Sequence, residues 1–533
     1  MAGKISFANR NWRDTAWSSL DQSWDLIVIG GGITGAGILR EALRAGLHTL
    51  LVEARDFASG TSSRSSKLVH GGLRYLKNRQ IRMTLEAVSE RERFLKEGRG
   101  LVSPLNFLLP TYKGDAIPGW VFDIGLMLYD LLAFRWGHRH YDALDMKDLC
   151  PSLSDVGLEG GFRYFDAQTD DARLVLRLIQ EATADGGVAL NYTPAISLLR
   201  QRSGKVCGVA LRDESPNGDG RTVEVQASVV VNATGAWADN LRSQVGQRNR
   251  LRKLRGSHLV FPAEKVPLTR AISFLHPWDN RPVFAIPWEG VVIIGTTDVD
   301  HGTSLDEEPA ISSQEAEYLL QGARTIFPSL DLDMNDVRVT YSGVRPVVNT
   351  GKADPSKESR EHVLWSESGL LTVTGGKLTT FRLMAHNALE KVRARLPGHP
   401  AFDPNVRMLD EPPAVTLPEG LKPSARLRLV GRHGANVTAI IEAAQPGEMA
   451  PIEHTPLIWA ELRWAARAEA VEHLDDLLLR RVRLGLLLPE GGLPYLEPIR
   501  QIAQSELGWD DRRWTAEADR YAALWKKNYQ PPG

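Results

Sequence analysis

The chain has 533 residues, of which 43% are hydrophobic, 24% charged and 7% aromatic. This composition is typical of a soluble protein of about two to four domains, and it excludes a collagen, a low-complexity chain and an integral membrane bundle. Lysine and arginine total 64 against 65 for aspartate and glutamate, so the charge gives no support to nucleic acid as the main ligand. The two cysteines, Cys150 and Cys207, cannot supply an iron–sulfur or zinc cluster. We therefore expect no metal site and a reducing compartment.

Two segments bear on location. Residues 1–24 carry several charges and lack both an apolar core and a small-residue cleavage site, so we predict a protein that stays inside the cell. The longest apolar stretch, residues 117–134, contains Asp123 and Asp130 and has only about the minimum length for a span, so a transmembrane helix is not predicted. A buried helix is the simplest interpretation, and a helix lying on a membrane surface is the alternative.

Residues 25–53 predict a strand, a turn, a helix and a second strand. Gly30, Gly32 and Gly35 form G-x-G-x-x-G directly after the first strand, and Glu53 ends the second. Such glycines let backbone amides approach a pyrophosphate at a helix N-terminus, and the carboxylate accepts hydrogen bonds from ribose hydroxyls. The pattern predicts dinucleotide binding. Glu53 argues against a 2′-phosphate but does not separate NAD from FAD.

Later segments favour a flavin. β-rich runs that end in small residues recur at 227–235, 291–297 and 370–376, and the last precedes a predicted helix over 378–396. The first domain is therefore assembled from distant pieces of chain. An extended FAD molecule contacts several segments, whereas an NAD enzyme rarely needs its nucleotide domain reopened so late.

Six separated motifs, in this order, resemble the FAD-dependent glycerol-3-phosphate dehydrogenases. They are DLIVIGGGITGAG at 25–37, TSSRSSKLVHGGLRYL at 61–76, GSHLVFP at 256–262, IIGTTD at 293–298, YSGVRP at 341–346 and GGKLTTFR at 375–382. The match covers about residues 24–396. It continues into 461–484, which is similar to the C-terminal helical domain of that family.

The resemblance implies an α/β fold, α+β overall, with a Rossmann-like FAD-binding domain, a substrate domain on a mixed or antiparallel sheet, and a helical C-terminal domain. We expect an oxidoreductase region over 24–396, with FAD-binding pieces at about 24–110, 160–255 and 340–396. The substrate-binding pieces are expected at about 111–159 and 256–339. The proline-rich residues 397–425 predict a linker or an irregular wrap, and helical spacing over 460–488 and 510–529 places a helical domain at 426–533.

The activity that the resemblance implies is oxidation of sn-glycerol 3-phosphate to dihydroxyacetone phosphate, with electrons passing through FAD to a membrane quinone. It also implies a cytoplasmic protein in peripheral contact with the inner face of the cell membrane, and it leaves a homodimer open. Three alternatives remain: an oxidase that uses oxygen, the catalytic subunit of a multi-subunit anaerobic dehydrogenase whose partners carry iron–sulfur clusters, and a flavin-binding scaffold or sensor without turnover.

Removal of a hydride from C2 requires a base for the hydroxyl proton and a fixed cation beside the oxygen. In the matching motifs, His258 is the predicted base and Arg345 its electrostatic partner, and His70 is the alternative base. A phosphate dianion needs basic and hydroxyl donors, so the predicted substrate-binding residues are Arg74, Tyr75, Lys377, Thr379 and Thr380. The predicted cofactor-binding residues are Gly30, Gly32, Gly35, Glu53, Thr61, Ser62, Ser66, Lys67, Leu68, Gly235, Gly376, Lys377, Leu378 and Thr379.

Two features depart from the family. Ala468 stands where the family commonly has histidine, which keeps the helix but puts in doubt any contact of that imidazole. About 20 N-terminal residues extend beyond the usual start, and the sequence assigns them no function.

Overall fold

The structure is a computed structural model that describes residues 5–72, 81–132, 137–352, 358, 361–418 and 421–533. Arg74 and Tyr75, two of the predicted substrate-binding residues, lie outside the described residues.

The strands alternate irregularly with helices along the chain. In order they are β1 (Trp24–Ile29), β2 (Thr49–Val52), β3 (Leu68–Val69), β4 (Val102–Tyr112), β5 (Arg139–Asp142), β6 (Leu158–Thr169), β7 (Val188–Leu190), β8 (Ala195–Arg200), β9 (Val206–Arg212), β10 (Thr222–Asn232), β11 (Leu251–Pro262), β12 (Ala271–Leu275), β13 (Pro282–Trp288), β14 (Val291–Gly295), β15 (Val299–Asp300), β16 (Val339–Val348), β17 (Val363–Glu367) and β18 (Leu370–Thr374).

The α-helices concentrate in the C-terminal part. In order they are α1 (Trp12–Ser18), α2 (Ile33–Arg44), α3 (Ile81–Glu97), α4 (Gly119–Leu132), α5 (Ala143–Leu149), α6 (Asp171–Ala184), α7 (Ala238–Gln244), α8 (Ser313–Ile326), α9 (Phe381–Val392), α10 (Pro423–His433), α11 (Val437–Ala443), α12 (Trp459–Ala468), α13 (Leu484–Leu487), α14 (Leu496–Leu507) and α15 (Asp511–Asn528).

The first sheet carries the dinucleotide motif. Within the described residues it has eight strands, with β7, β2, β1, β10 and β18 parallel, β17 antiparallel at one edge, and the antiparallel β8–β9 pair attached to β10. β1 is an apolar run because a parallel strand is covered on both faces, and Leu26, Ile27 and Val28 are fully buried. The carboxyl ends of β1, β10 and β18 meet at one edge, which is where open parallel sheets bind ligands.

The second sheet faces that edge. Among the described residues it has ten strands in the order β15-β11-β14-β13-β12-β4-β6-β3, with β16 on β11 and β5 on β6. The β12–β4 pair is parallel and the other pairs are antiparallel, so the predicted mixed sheet is confirmed. Large parts of β4, β6 and β16 fall in segments predicted to be FAD-binding, yet they pair here. Apolar alternation identifies a strand, but it does not say which sheet the strand joins.

Helix α4 differs from the predicted buried helix. Leu126 and Tyr129 are buried, whereas Trp120, Ile124 and Leu131 are 67%, 52% and 56% exposed. Hydrophobic content predicts a helix but not which of its faces is covered. No helix of the described residues is both long and apolar enough to cross a membrane.

The C-terminal helical domain runs from α10 to α15, as predicted, but helix 460–488 is interrupted. Helix α12 ends at Ala468, Ala470 has a positive φ of 52°, and a π-helical segment follows at Asp476–Arg481. The carbonyl of Ala470 accepts from Asn191 Nδ2 at 2.9 Å and from Arg481 Nη2 at 3.2 Å. These long-range hydrogen bonds satisfy a carbonyl that a continuous helix would have used internally.

The N-terminal segment is packed rather than loose. Trp12 and Trp17 of α1 belong to the core of the first domain. Arg13 pairs with Asp213 at 2.6 Å and donates to the Asn191 carbonyl at 3.0 Å, and its Nη1 lies 3.7 Å from Glu472 in the C-terminal domain. The segment therefore touches both domains.

Candidate active site

A cavity of about 1740 Å³ lies between the carboxyl edge of the first sheet and the second sheet. Typical sites for one small molecule measure about 300–1000 Å³, so this cavity has room for an extended cofactor and a second ligand. Its wall includes Ile29 and Gly30 at the end of β1, Ala233 after β10, and Val373 and Thr374 of β18.

One end of the cavity is built from the glycine motif. Gly30 has a φ of +113°, and a Cβ there would lie 2.5 Å from the Ala233 carbonyl oxygen. A Cβ on Gly35 would lie 1.8 Å from the Gly30 carbonyl oxygen, so Gly35 permits the strand–helix packing without lining the cavity itself. Gly32 lines the cavity as the N-cap of α2, and the amide of Ile33 donates to Ser62 Oγ at 2.9 Å. The positive end of α2 thus lies at the wall.

Glu53 lies beside that helix end. Its Oε2 accepts from the Gly31 amide at 2.6 Å and its Oε1 from the Arg55 amide at 2.9 Å. Burial raises the pKa of Glu53, against the effect of these two amides. This arrangement suits a dinucleotide, because the carboxylate can accept hydrogen bonds from the ribose hydroxyls and the helix N-terminus can hold the pyrophosphate.

Most predicted cofactor residues meet along the same cavity. Thr61, Ser62, Ser66 and Leu68 reach it from the β2–β3 connection. From the ends of β10 and β18 come Gly235, Gly376, Lys377, Leu378 and Thr379. Gly235 and Gly376 both have positive φ, and a Cβ on Gly376 would lie 2.4 Å from Met384 Sδ. These residues, from three separate stretches of chain, fit an extended FAD molecule.

Two further predicted residues, Lys67 and Thr380, also lie off the cavity wall. Lys67 is fully buried behind the wall, where its Nζ donates to Asp171 Oδ2 at 2.9 Å and to the Ser63 carbonyl at 2.7 Å. Burial lowers the pKa of Lys67 to about 8, although Asp171 opposes the shift. Thr380 also lies off the described cavity wall, and its hydroxyl donates to the Lys377 carbonyl at 3.5 Å. The motif could not tell which way these side chains face.

His258 reaches the cavity through a serine. It is 1% exposed, stacks on Tyr341 with ring centroids 4.5 Å apart, and does not itself line the cavity. Its Nε2 is 2.9 Å from the hydroxyl of Ser66, which does line it. Burial, with the charges of Arg345 and Lys67, holds the pKa of His258 well below its usual range. The imidazole is therefore neutral near pH 7.

Arg345 lines the cavity within a charged cluster that the sequence did not identify. Its Nη1 donates to Asp298 Oδ1 at 3.0 Å and its Nη2 to Thr296 Oγ1 at 3.0 Å. Arg281 Nη2 lies 3.4 Å from the other oxygen of Asp298. All four residues line the cavity. The IIGTTD motif contains Thr296 and Asp298 and was the available signal for them, whereas Arg281 lies outside every motif.

His70 lies on the cavity wall near its second-sheet side. Its Nδ1 is 3.2 Å from Asp166 Oδ2, and Asp166 also accepts from the Gly71 amide at 2.8 Å and from Arg91 at 3.2 Å. In spite of burial, the hydrogen bond and charge of His70, together with Arg91, hold the pKa of Asp166 below its usual range. The Asp166 carboxylate therefore fixes the orientation of the His70 imidazole, as a carboxylate often does for a histidine that acts as a general base.

Comparisons with known proteins agree with this site. Residues 25–382 match the model of the FAD dependent oxidoreductase family, and residues 373–514 match the model of the C-terminal domain of alpha-glycerophosphate oxidase. The aerobic glycerol-3-phosphate dehydrogenase of Bacillus subtilis is 39% identical over 70% of this chain and 68% of its own length. That of Staphylococcus haemolyticus is 34% identical over 86% of this chain and 87% of its own.

Solved structures agree as well. The X-ray structure of the glycerol-3-phosphate dehydrogenase from Bacillus halodurans complexed with FAD has a TM-score of 0.77 and 28% identity, with 98% of both chains covered. The reduced L-alpha-glycerophosphate oxidase from Mycoplasma pneumoniae with FAD bound is 16% identical, with a TM-score of 0.55 over 74% of this chain and 100% of that one, and so shares the fold. On these grounds the chain belongs to the FAD-dependent glycerol-3-phosphate dehydrogenases, and FAD is its cofactor.

Proposed function

We propose that this chain oxidises sn-glycerol 3-phosphate at C2 to dihydroxyacetone phosphate. The observation that carries the proposal is the pair of guanidinium groups around Asp298, on the same cavity wall as the Ser66 hydroxyl that contacts His258. When bound, FAD supplies the hydride acceptor. The hydride leaves C2 with both electrons of the C–H bond, the hydroxyl proton leaves for a base, and a C2 carbonyl remains.

The phosphate end of the substrate requires fixed cations. Arg281 and Arg345 each line the cavity, and a guanidinium has five N–H donors, so each can hold Asp298 and a phosphate oxygen together. Lys377 and Thr379 line the same cavity and stay in the proposed phosphate set. The predicted contributions of Arg74, Tyr75 and Thr380 also stay proposals.

The proposed base is His258. A neutral imidazole can accept a proton, and Nε2 of His258 contacts Ser66 Oγ. In this arrangement Ser66 takes the proton of the C2 hydroxyl while it passes its own proton to His258. Arg345 lies close enough to lower the pKa of His258, and its charge would also stabilise negative charge that develops on the substrate oxygen.

His70 is the second candidate for the base, favoured by its direct place on the cavity wall and by Asp166 on its Nδ1. Its Nε2 would then accept the substrate proton without a serine between them.

Anaerobic addition of glycerol 3-phosphate to the flavin-loaded protein tests the reaction, because substrate oxidation bleaches the flavin absorbance. A yellow protein that is never bleached would instead support a flavin-binding scaffold. A positioned base contributes about 100- to 10,000-fold in rate. We expect such a loss in H258N and a similar one in S66A, with H70N within about tenfold of wild type. The reverse pattern would assign the base to His70.

We further propose a membrane quinone as the final acceptor, reached along helix α4. Helix α4 contributes Val121, Ile124 and Leu128 to the cavity wall, and on the same face of the helix Trp120 and Leu131 are exposed. An apolar helix that joins the cavity to an exposed apolar face suits a lipid-soluble acceptor and a peripheral membrane contact at the cytoplasmic surface.

Two measurements separate the remaining acceptors. Reduction of a soluble quinone analogue, with little hydrogen peroxide formed during turnover in air, supports the quinone, and stoichiometric peroxide supports an oxygen-using oxidase. Quinone reduction by the purified single chain would argue against a subunit that depends on iron–sulfur partners.

A further inference from the structure

The segment Ser63 to Lys67, called here the 63–67 loop, carries Ser65 and Ser66 on the cavity wall and is held from behind by one carboxylate. Asp171 Oδ2 accepts from the Ser65 amide at 3.0 Å, from the Ser65 hydroxyl at 2.7 Å and from Lys67 Nζ at 2.9 Å. Asp171 is fully buried. Its position therefore sets the conformation of the loop.

Asp171 is in turn held by Arg483, which belongs to the C-terminal helical domain and directly precedes α13. Arg483 is 2% exposed, and its Nη2 donates to Asp171 Oδ1 and, at 3.2 Å, to the Ser63 carbonyl. Its Nε donates to Asp170 Oδ1 at 3.1 Å. One side chain of the C-terminal domain thus contacts both the loop and the carboxylate that fixes it.

The loop connects this network to the proposed base. Ser66 Oγ is 2.9 Å from His258 Nε2, and Tyr341, which stacks on His258, donates its hydroxyl to the Ser65 carbonyl at 2.9 Å. We propose that Arg483 is a positioning residue of the active site: through Asp171 it fixes the 63–67 loop and hence the geometry of Ser66 against His258. This inference rests on the proposed function. It means that the C-terminal domain helps to position the active-site residues.

A purely structural role is the alternative, because breaking any buried ion pair destabilises a fold. The chain offers a matched control. Arg173 donates to Glu469 at 2.6 and 2.9 Å, the two side chains are 1% and 0% exposed, and the pair also joins α6 to the C-terminal domain. Its remaining side-chain hydrogen bond in the described part of the chain goes to the Arg481 carbonyl, away from the loop.

The test compares R483K with R173K, since both keep the charge and lose the planar guanidinium. We expect similar losses of melting temperature in the two variants. At saturating glycerol 3-phosphate, the flavin-loaded R483K protein should reduce its flavin at least about tenfold more slowly than wild type, which is the usual size of the effect when a residue that supports an active site is changed. The R173K protein should stay within about twofold of wild type.

A double-mutant cycle provides a second test, of the coupling between Arg483 and Ser65. S65A removes one hydrogen bond to Asp171, so R483K/S65A should be about as slow as R483K alone, whereas the effects of R173K and S65A should multiply. Equal rates of flavin reduction in R483K and R173K, or multiplicative effects of R483K and S65A, would overturn the proposal.

Flavin affinity separates this inference from the proposed function. If glycerol 3-phosphate never reduces the flavin of the wild-type protein, the proposed function fails. The positioning role of Arg483 is then tested by the FAD dissociation constant, because the 63–67 loop lines the cofactor cavity. The same constant decides the case if R483K does not retain flavin during purification. FAD binding weakened about tenfold or more in R483K but not in R173K supports positioning, and equal weakening rejects it.

Discussion

Arg281 gives the sharpest test of the proposed phosphate site, since no sequence motif contains it. Its guanidinium is 3.4 Å from Asp298, and the side chain is 29% exposed on the cavity wall that also includes Arg345. Replacement by glutamine removes the charge and keeps much of the side-chain length. Asp298 keeps its 3.0 Å partner Arg345, so the cluster should stay folded.

The expected magnitude follows from that exposure. A hydrogen bond to a charged group contributes about 1.5 to 3 kcal/mol, and a side chain that is almost one-third exposed is partly screened by water, which favours the lower part of this range. A loss of about 1.5 to 2 kcal/mol corresponds to about 10- to 30-fold in affinity. We therefore expect R281Q to raise both the Michaelis constant for glycerol 3-phosphate and the inhibition constant of inorganic phosphate by about that factor.

Steady-state kinetics with phosphate as a competitive inhibitor measures both constants, and the ratio of flavin to protein absorbance checks cofactor content. R281K should show a smaller change, because lysine keeps the charge but not the planar donor pair. R324Q, on helix α8 and away from the cavity wall, is a control of comparable exposure. An unchanged inhibition constant for phosphate in R281Q would refute the assignment.

Three other predictions test the cofactor end of the cavity, the C-terminal helical domain and the proposed membrane contact. G35A should abolish flavin retention, seen as a colourless purified protein, because the new Cβ would lie 1.8 Å from the Gly30 carbonyl oxygen. Burial lowers the pKa of His433 to about 4, below its unfolded value near 6.5, so unfolded chains bind the extra proton and stability falls as the pH drops below about 6.5. Between pH 7 and 5, urea unfolding should show a loss about 2 kcal/mol larger in wild type than in H433Q. The double variant W120S/L131S should bind anionic lipid vesicles at least about tenfold more weakly in sedimentation assays, because exposed apolar area is lost.

Controls for these three lie within the same chain. G302A should stay yellow, because a Cβ there meets no atom within 4 Å. The pH trend of H433Q is compared with that of H399Q, a surface histidine, and equal slopes in H433Q and wild type would contradict the linkage. V156S, at a position that is 87% exposed and away from α4, should leave vesicle binding unchanged. A similar loss in V156S would remove α4 as the contact.

The strand, turn and helix around the glycine motif could be predicted because the residues that form them are near one another in the chain. Gly30, Gly32 and Gly35 sit at fixed spacing between a strand and a helix, and local sterics explain each of them. Arg281 and Asp298 come together only through the β13–β14 pairing and the approach of β16, and no local pattern encodes such contacts.

The sequence also could not predict the direction in which individual side chains point. Lys67 lies in a motif whose neighbouring residues line the cavity, yet its ammonium group points to the buried carboxylate of Asp171. A buried charge without a partner costs free energy, and this ion pair avoids that cost. Similarly, the helical spacing of 460–488 predicted helical structure there but not the break at Ala470, whose carbonyl accepts hydrogen bonds from Asn191 and Arg481.

The docked N-terminal segment has a practical consequence for anyone who shortens the protein to begin at the first strand. Such a version would lose Arg13, so Glu472 would lose this nearby guanidinium and Asp213 would depend on Arg221, 3.2 Å away. Burial already raises the pKa of Glu472 to about 7, and without the cation both acids would take up protons more readily. Affinity tags should therefore be added ahead of this segment and not replace it.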